Sequence, residues 1–363
     1  MIMIGADSHK RTHTVVAVDD VGRRVGEKTV RANTDGHLDL LAWSRRLVDE
    51  AALGTSVTFA LEDCRHLTRR LEADLLAGGG RVMRVPTRLM AEARKVSREP
   101  GKSDPIDAQA VALAALRHPE LPVAELEGPA REVKLLSDHR RDLVGQRTRI
   151  CCQVRWFLHE LDPDLEVASR GLRRQSLVAD LLAELNRFEG VVARLTGELL
   201  LRCQDLNRQI TALEHELRDL VRQLAPSLLA IPGCGVLSAA LIVGETAGVH
   251  RFRDKDAFAR FTGTAPVPVW SGSSNGKVRL NRGGNRAMNY ALHMIAVTQA
   301  RGIGPGRAYL DKQTARGKDR VAALRLLRRR LSDVVFASLR ADDLASRPGA
   351  RVNQAPVDLP AAA

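Results

Sequence analysis

Aromatic residues are few: 7 Phe, 3 Trp and 2 Tyr among 363 residues, 3% of the chain. That leaves few rings on which bases could stack. Cysteine is equally sparse. Cys64, Cys151, Cys152, Cys203 and Cys234 are odd in number and form no Cys-x-x-Cys pair, which speaks against a zinc knuckle and suits a reducing cytoplasm. No uninterrupted apolar run approaches the ~20 residues of a spanning helix, and Met1 to Asp7 lacks the basic and long apolar regions of a secretory signal. No membrane partner is expected. Acidic charge is also in deficit, with 43 Asp+Glu against 56 Lys+Arg, a net charge of +13 and a pI near 10.2. That balance favours phosphate backbones or anionic surfaces.

The order of elements is the first positive signal. Met1 to Asp7 is a short apolar run, Thr12 to Asp19 is rich in valine, and Arg23 to Val30 follows the turn Asp20-Val21-Gly22, which reads as a three-strand meander. Leu38, Leu41, Leu47 and Val48 then recur at helical spacing. Thr55 to Leu61 returns to β-rich residues, Cys64 to Ala77 reads as helix, and Arg81 to Val85 as a fifth strand after three glycines. Three strands, helix, strand, helix, strand, helix is a ribonuclease H-like order.

On that order, Asp7 closes the first strand, Glu62 closes the fourth, and Asp104 opens a helix running through Asp107 to Leu116. Carboxylates at adjacent strand ends can converge, and two residues three apart on a helix share a face. Mg²⁺ takes oxygen ligands and keeps water and phosphate in its shell, so four carboxylates suit two metals flanking a scissile phosphate. Each residue also has a plainer reading. Asp104, before Pro105, makes a good helix N-cap, Asp107 in a first turn favours the helix dipole, Glu62 could be solvated, and Asp7 could be a turn residue. Their joint fit to one element order favours the site.

From Ala130 to Leu224 the chain reads as helical and charge-rich, broken near Asp162-Pro163 and at Ser169 to Gly171. Val192, Leu195, Leu199, Leu206, Ile210, Leu213, Leu217, Leu220 and Leu224 keep a heptad with Cys203 in its softer slot, which predicts a coiled-coil seam. Self-association and an internal helical hairpin both satisfy that stripe. Ile231-Pro232-Gly233-Cys234-Gly235 then resembles a helix-hairpin-helix turn, whose free amides could bind a backbone phosphate; an ordinary tight turn before a buried helix at Leu237 to Ile242 is the alternative. The loop from Ala265 to Lys277 contains Trp270-Ser271-Gly272 and leads into Arg279, Arg282, Gly283, Gly284, Asn285 and Arg286. A serine can attack phosphorus only where clustered Lys/Arg or a metal lowers the cost of its alkoxide, and this loop has that basic company. Seven basic residues between Arg316 and Arg330 sit on a probable-helix pattern over Val321 to Leu331, either as a solvated face or as a nucleic-acid contact. After Ala341 the alanine- and proline-rich chain is expected to be disordered.

Gly5-Ala6-Asp7-Ser8-His9-Lys10, Ala60-Leu61-Glu62, Lys102-Ser103-Asp104-Pro105-Ile106-Asp107-Ala108, Ile231 to Gly235, and Trp270-Ser271-Gly272 through Arg282-Gly283-Gly284-Asn285-Arg286 together resemble the insertion sequence 110 family of transposases, in the family's order over about residues 1 to 335. The resemblance implies a RuvC-like, ribonuclease H-like domain at 1–125, a helical coiled-coil region at 126–225, a mostly helical transposase domain with a helix-hairpin-helix-like element at 226–340, and a disordered tail at 341–363. It implies an Asp-Glu-Asp-Asp set, Asp7, Glu62, Asp104 and Asp107, binding Mg²⁺ or Mn²⁺. It also implies a nucleophilic serine, Ser271, with Ser273 and Ser274 near enough to leave the choice open. Lys102, Gly233, Gly235, Lys277, Arg279, Arg282 and Arg286 are the implied nucleic-acid contacts. Implied partners are the DNA of element ends and target, a structured noncoding guide RNA, and further copies of the chain as dimer or tetramer, acting in the bacterial cytoplasm at the nucleoid. Where the family has lysine-threonine-aspartate this chain has Lys102-Ser103-Asp104, which keeps the hydroxyl.

Rival readings are weaker. A hydrolytic Holliday-junction resolvase would use the same carboxylates with water and needs neither Ser271 nor its basic loop. A sugar-kinase or actin fold would need a glycine turn where this chain has Ser8-His9-Lys10-Arg11, and a non-enzymatic RNA scaffold would need a decayed acidic set.

Overall fold

The computed structural model describes all residues except 52–54, 97–102, 122, 125–127, 169, 269–277, 282 and 347–363. Contacts divide the chain into two compact units, Met1–Glu127 and Gly128–Ala363.

The first unit is built on strands β1 (Ile2–Ser8), β2 (Thr12–Val18), β3 (Arg24–Arg31), β4 (Val57–Glu62) and β5 (Arg81–Val85). They form one sheet in the order β3-β2-β1-β4-β5. β1, β2 and β3 are antiparallel, whereas β4 runs parallel to β1 and β5 parallel to β4. This mixed sheet follows the expected element order, with helices α1 (Thr34–Asp49), α2 (Arg65–Ala77), α3 (Thr87–Val96) and α4 (Asp104–Arg117) in the expected sequence. Strand alternation sorts the core into two layers. Ile2, Ile4, Ala6, Val15, Ala17, Phe59, Leu61 and Val82 face α1 and α2, while Met3, Val16, Val18, Ala60, Met83 and Val85 face α3 and α4. Burial on both faces explains why β1, β2 and β4 read as nearly continuous apolar runs.

The second unit is helical apart from a two-stranded hairpin. Helix α5 (Ala130–Leu161) lies antiparallel to α7 (Val191–Leu224), with α6 (Gln175–Glu184) between them in the chain. The pairing is set by Arg140 with Glu214, Arg147 with Asn207 and Cys151 with Cys203. The heptad stripe is therefore covered within the chain: its expected members Cys203, Leu206, Ile210 and Leu217 are buried, and the others give way to neighbouring positions. Ala193, Thr196, Leu200, Cys203, Leu206, Asn207, Ile210, Leu217 and Val221 are the buried residues of α7. Val192, Leu195, Leu199, Leu213, Leu220 and Leu224 are only half-buried. Leu200 shares one core cluster with Val178 and Leu181 of α6, a contact that heptad spacing alone does not register.

Beyond α7 come α8 (Pro226–Leu229), α9 (Val236–Thr246), α10 (Lys255–Phe261), strands β6 (Pro266–Pro268) and β7 (Val278–Leu280), α11 (Arg286–Ala300), α12 (Gly306–Ala315) and α13 (Arg320–Ala345). Their core includes Val133 of α5 with Leu217 and Val221 of α7, so the expected division at 225/226 falls inside one continuous core. The long helices cross from the α5–α6–α7 cluster into this second cluster. Helix α13 also corrects the expectation of disorder from Ala341: it continues to Ala345, and Asp342 accepts hydrogen bonds from the Ser227 amide and hydroxyl. Residues 347–363 lie outside the described part. Among the described residues no helix is long and apolar enough to cross a membrane.

Candidate metal centre

The carboxyl ends of β1 and β4 carry the first two acidic residues. Ala6 pairs with Leu61 in the parallel ladder, so the next residues, Asp7 and Glu62, close the two strands side by side. Asp7 continues the Met3 and Gly5 face and Glu62 the Ala60 face, which places both on the α4 side of the sheet. Gly5 is what lets α4 come so close. A Cβ built there would lie 2.1 Å from the Ala108 carbonyl oxygen and 2.4 Å from the Ala112 amide nitrogen. With Ala108 seated over Gly5, the first turn of α4 carries Asp104 toward the end of β1.

There the side chains converge. His9 Nε2 stands 3.3 Å from Asp7 Oδ2 and 3.5 Å from Asp104 Oδ1. One ligand atom from each of Asp7, His9 and Asp104 lies within 4.8 Å of the others. Ser103, not Asp104, is the N-cap residue of α4, with Asp104 and Pro105 opening its first turn. The Asp104 carboxylate is therefore not the cap, although as a first-turn acid it also favours the helix dipole. Asp107 is only 13% exposed and faces Arg94, whose Nε approaches its Oδ1 to 3.2 Å. That contact lacks hydrogen-bond geometry, and Oδ1 is enclosed without a donor. An ion-pair distance and an unmatched oxygen are both true of it: charge is balanced at close range, while a lone pair remains unused.

Electrostatics agree with this crowding. Burial pushes the Asp7 carboxyl above its ordinary range, His9 opposes that shift, and the Asp107 and Asp104 carboxylates add to it. An Asp7 carboxyl raised by burial and by two acidic neighbours is an arrangement that a divalent cation relieves. The donor set fits one: hard carboxylate oxygens in the majority, with one imidazole alongside.

Glu62 is placed differently. It is half-buried beside Cys64, whose thiol is raised by burial first and then by the Glu62 carboxylate and a hydrogen bond to it. The structure thus brings Asp7 and Asp104 together through His9, sets Asp107 within reach of Asp7, and leaves Glu62 one strand over, outside the group of three. His9 was missed by reasoning on carboxylates alone. Its signal was present as Asp7-Ser8-His9, since residues two apart at a strand end share a face.

The remaining predicted contacts scatter. Gly233 has φ +83° in the turn before α9, and Gly235 is the N-cap of α9, with open space where a Cβ would stand. Arg279 is exposed on β7, and Arg286 is the exposed first residue of α11. Lys102, Ser271, Lys277 and Arg282 lie outside the described residues, as do Ser273 and Ser274.

Two family models match the chain. One, described as Transposase and of the DEDD IS110 type, covers residues 4–163; the other, described as Transposase IS116/IS110/IS902 family, covers residues 225–310. The 42 kDa protein of insertion element IS900 from Mycobacterium paratuberculosis is 26% identical over 93% of this chain and 96% of its own length. The 44.8 kDa protein of insertion element IS116 from Streptomyces clavuligerus is 27% identical over 93% of this chain and 94% of its own. Among solved structures, T. thermophilus RuvC in complex with Holliday junction substrate aligns with 33% of this chain and 95% of its own, at 13% identity and a TM-score of 0.25, a likeness too slight to build on.

Proposed function

The chain belongs to the IS110 family of transposases, and from that premise we propose that it excises and inserts a DNA element by serine attack on the backbone, assisted by Mg²⁺ or Mn²⁺ at the acidic cluster. The family assignment makes DNA its substrate and the cutting and joining of strands its chemistry. The metal reading is carried by one observation: ligand atoms of Asp7, His9 and Asp104 all lie within 4.8 Å of one another.

Asp7 and Asp104 would hold the ion, with Asp107 and Glu62 completing or orienting the oxygen set and His9 as the neighbouring nitrogen donor. Bound there, a divalent ion supplies positive charge at a phosphate in transit and lowers the pKa of an oxygen in its shell. Ser271 is the proposed nucleophile, with Ser273 and Ser274 as alternates. Its Oγ forms a bond to a backbone phosphorus and loses its proton, the bond from phosphorus to one sugar oxygen breaks, and that oxygen takes up a proton. Attack by a sugar hydroxyl on the phosphoserine reverses the exchange and joins a strand. The phosphate ester is conserved throughout, so the reaction needs no nucleotide cofactor. Lys102, Lys277, Arg279, Arg282 and Arg286, with the amides of the Gly233 and Gly235 turn, are proposed backbone contacts. A structured noncoding RNA is the proposed guide, and assembly as dimer or tetramer the proposed route by which Ser271 of one copy meets the acidic cluster of another.

The test places the whole locus with its flanks in bacterial cells and amplifies across the excised-circle junction, comparing wild type with Ser271→Ala and Asp104→Asn. Both variants should lose the junction. Survival in Ser271→Ala moves attack to Ser273, Ser274 or water, the last being a hydrolytic, resolvase-type enzyme. Survival in Asp104→Asn removes the acidic set from the chemistry.

A further inference from the structure

A second basic site is formed within the helical unit, at the foot of the β6–β7 hairpin. A cleft of about 550 Å³ is lined by Arg286, Tyr290 and His293 of α11, Arg328 of α13, and Asn281 after β7, and among its described lining residues there is no carboxylate. That volume lies in the range that takes a nucleotide-sized group. Gly263 and Gly284 form part of the wall back to back, where a Cβ on Gly284 would stand 2.1 Å from the Gly263 Cα.

Arg328 is the decisive residue. Its Nη1 donates to Asn289 Oδ1 at 2.8 Å. Asn289 is itself fixed, since its Nδ2 donates to the Thr262 carbonyl at 3.1 Å. The guanidinium is therefore held in one orientation, yet its Nε is enclosed with no acceptor from the protein. Because that Nε has no accessible surface it cannot itself meet a ligand, and it is the rest of the arginine fork, on the cleft lining, that matches the oxygens of a phosphate. Arg286 opens α11 and His293 stands two turns further on, both lining the cleft, and Tyr290 between them, 56% exposed, offers a ring. Tyr290 is one of only two tyrosines in the chain.

We propose that this cleft binds a phosphodiester of a nucleic-acid strand, with Arg328 and Arg286 on the phosphate oxygens, His293 beside them and Tyr290 against the adjoining sugar or base. None of these groups belongs to the acidic cluster or needs Ser271. The inference deepens the nucleic-acid reading above, but its test is independent of strand cutting.

Binding of fluorescent short DNA and RNA strands to the full chain is read by anisotropy in EDTA over a range of salt, with inorganic pyrophosphate as competitor. Arg328→Met and Arg286→Ala should each weaken binding roughly tenfold and lower the salt slope by about 1. Arg194→Ala, which removes the same charge from α7 outside the cleft, should not lower affinity to that extent. Pyrophosphate should raise the melting midpoint of wild type and not that of Arg328→Met. Arg286 is exposed, so its variant decides the matter should Arg328→Met fail to fold. Loss with the DNA strand alone, the RNA strand alone or both names the source of the phosphate. Wild-type affinity in Arg286→Ala, or no binding of either strand by wild type, would overturn the proposal. Absence of recombination by the wild type in cells, with strand binding intact, would count against the recombinase reading and leave the cleft standing.

Discussion

Replacing Gly5 by alanine tests whether one close approach holds both the first unit and its acidic cluster. The new methyl would meet the Ala108 carbonyl oxygen at 2.1 Å, the Ala112 nitrogen at 2.4 Å and the Ala112 Cβ at 2.8 Å, where ordinary contact begins at 3.4 Å. The obstacle is helix backbone, which cannot turn aside as a side chain can. Either α4 retreats by more than an ångström or β1 bends away from β4. Overpacking a core costs ~1–3 kcal/mol. Here the retreat also opens the seam that buries Ala108, Val111, Ala112 and Ala115, so the upper part of that range is expected. It further carries Asp104 and Asp107 away from Asp7. Gly145 is the counter-example, because a Cβ there meets nothing within 4 Å in the middle of α5. The same substitution at Gly145 should stabilise by ~0.5–1 kcal/mol through helix propensity. Amide hydrogen exchange of the α4 peptides reads the local cost, and calorimetric titration with Mn²⁺ reads the cluster. Gly5→Ala should speed exchange in α4 and weaken Mn²⁺ at least tenfold, whereas Gly145→Ala should leave Mn²⁺ unchanged. Unaltered exchange and Mn²⁺ affinity in Gly5→Ala would refute the placement of α4 and with it the metal centre.

Two other predictions concern buried titratable groups. His13, 2% exposed and stacked on His37 with ring centroids 5.2 Å apart, is held down to about 4, by burial first and then by His37 and His9. The unfolded chain therefore binds a proton from about pH 6.5 downward while the folded chain does not until about 4, so stability is lost as pH falls across that window. The loss should reach about 3 kcal/mol, and urea unfolding of His13→Asn should show a correspondingly shallower pH dependence; an equal slope in both proteins would count against it. In the α5–α7 pair, Cys151 and Cys203 sulfurs are 3.8 Å apart, and Cys151 is lowered by its hydrogen bond with Cys203 and by Arg147, Arg155 and Arg173. Mild diamide should join them as one intrachain disulfide on peptide mapping, lost in Cys151→Ser, while Cys234, buried and pushed up to about 12, stays reduced. A disulfide elsewhere, or none, would contradict the helix register.

What was legible in the sequence followed from periodicity. Short apolar and β-rich runs between turns located all five strands of the first sheet to within two residues, and the spacing of Asp104 and Asp107 announced a shared helical turn, because both patterns are local properties of the chain. Asp7 and Glu62 at neighbouring strand ends were legible for the same reason. Tertiary structure alone decided the rest. A heptad states that a stripe must be covered but not by what, and here helices of the same chain cover it and bring Leu200 and Val221 into the buried line. The chain after Ala341 reads as disordered, yet α13 runs on to Ala345 and Asp342 receives Ser227, a contact more than a hundred residues apart in the chain. The same holds at the sites. Nothing near Gly5 in the chain says that α4 must cross it, nothing near His9 says that it bridges two carboxylates, and nothing near Arg328 says that Asn289 holds it over a cleft with one nitrogen unmatched. Distance and burial between remote residues, not spacing along the chain, create those relations.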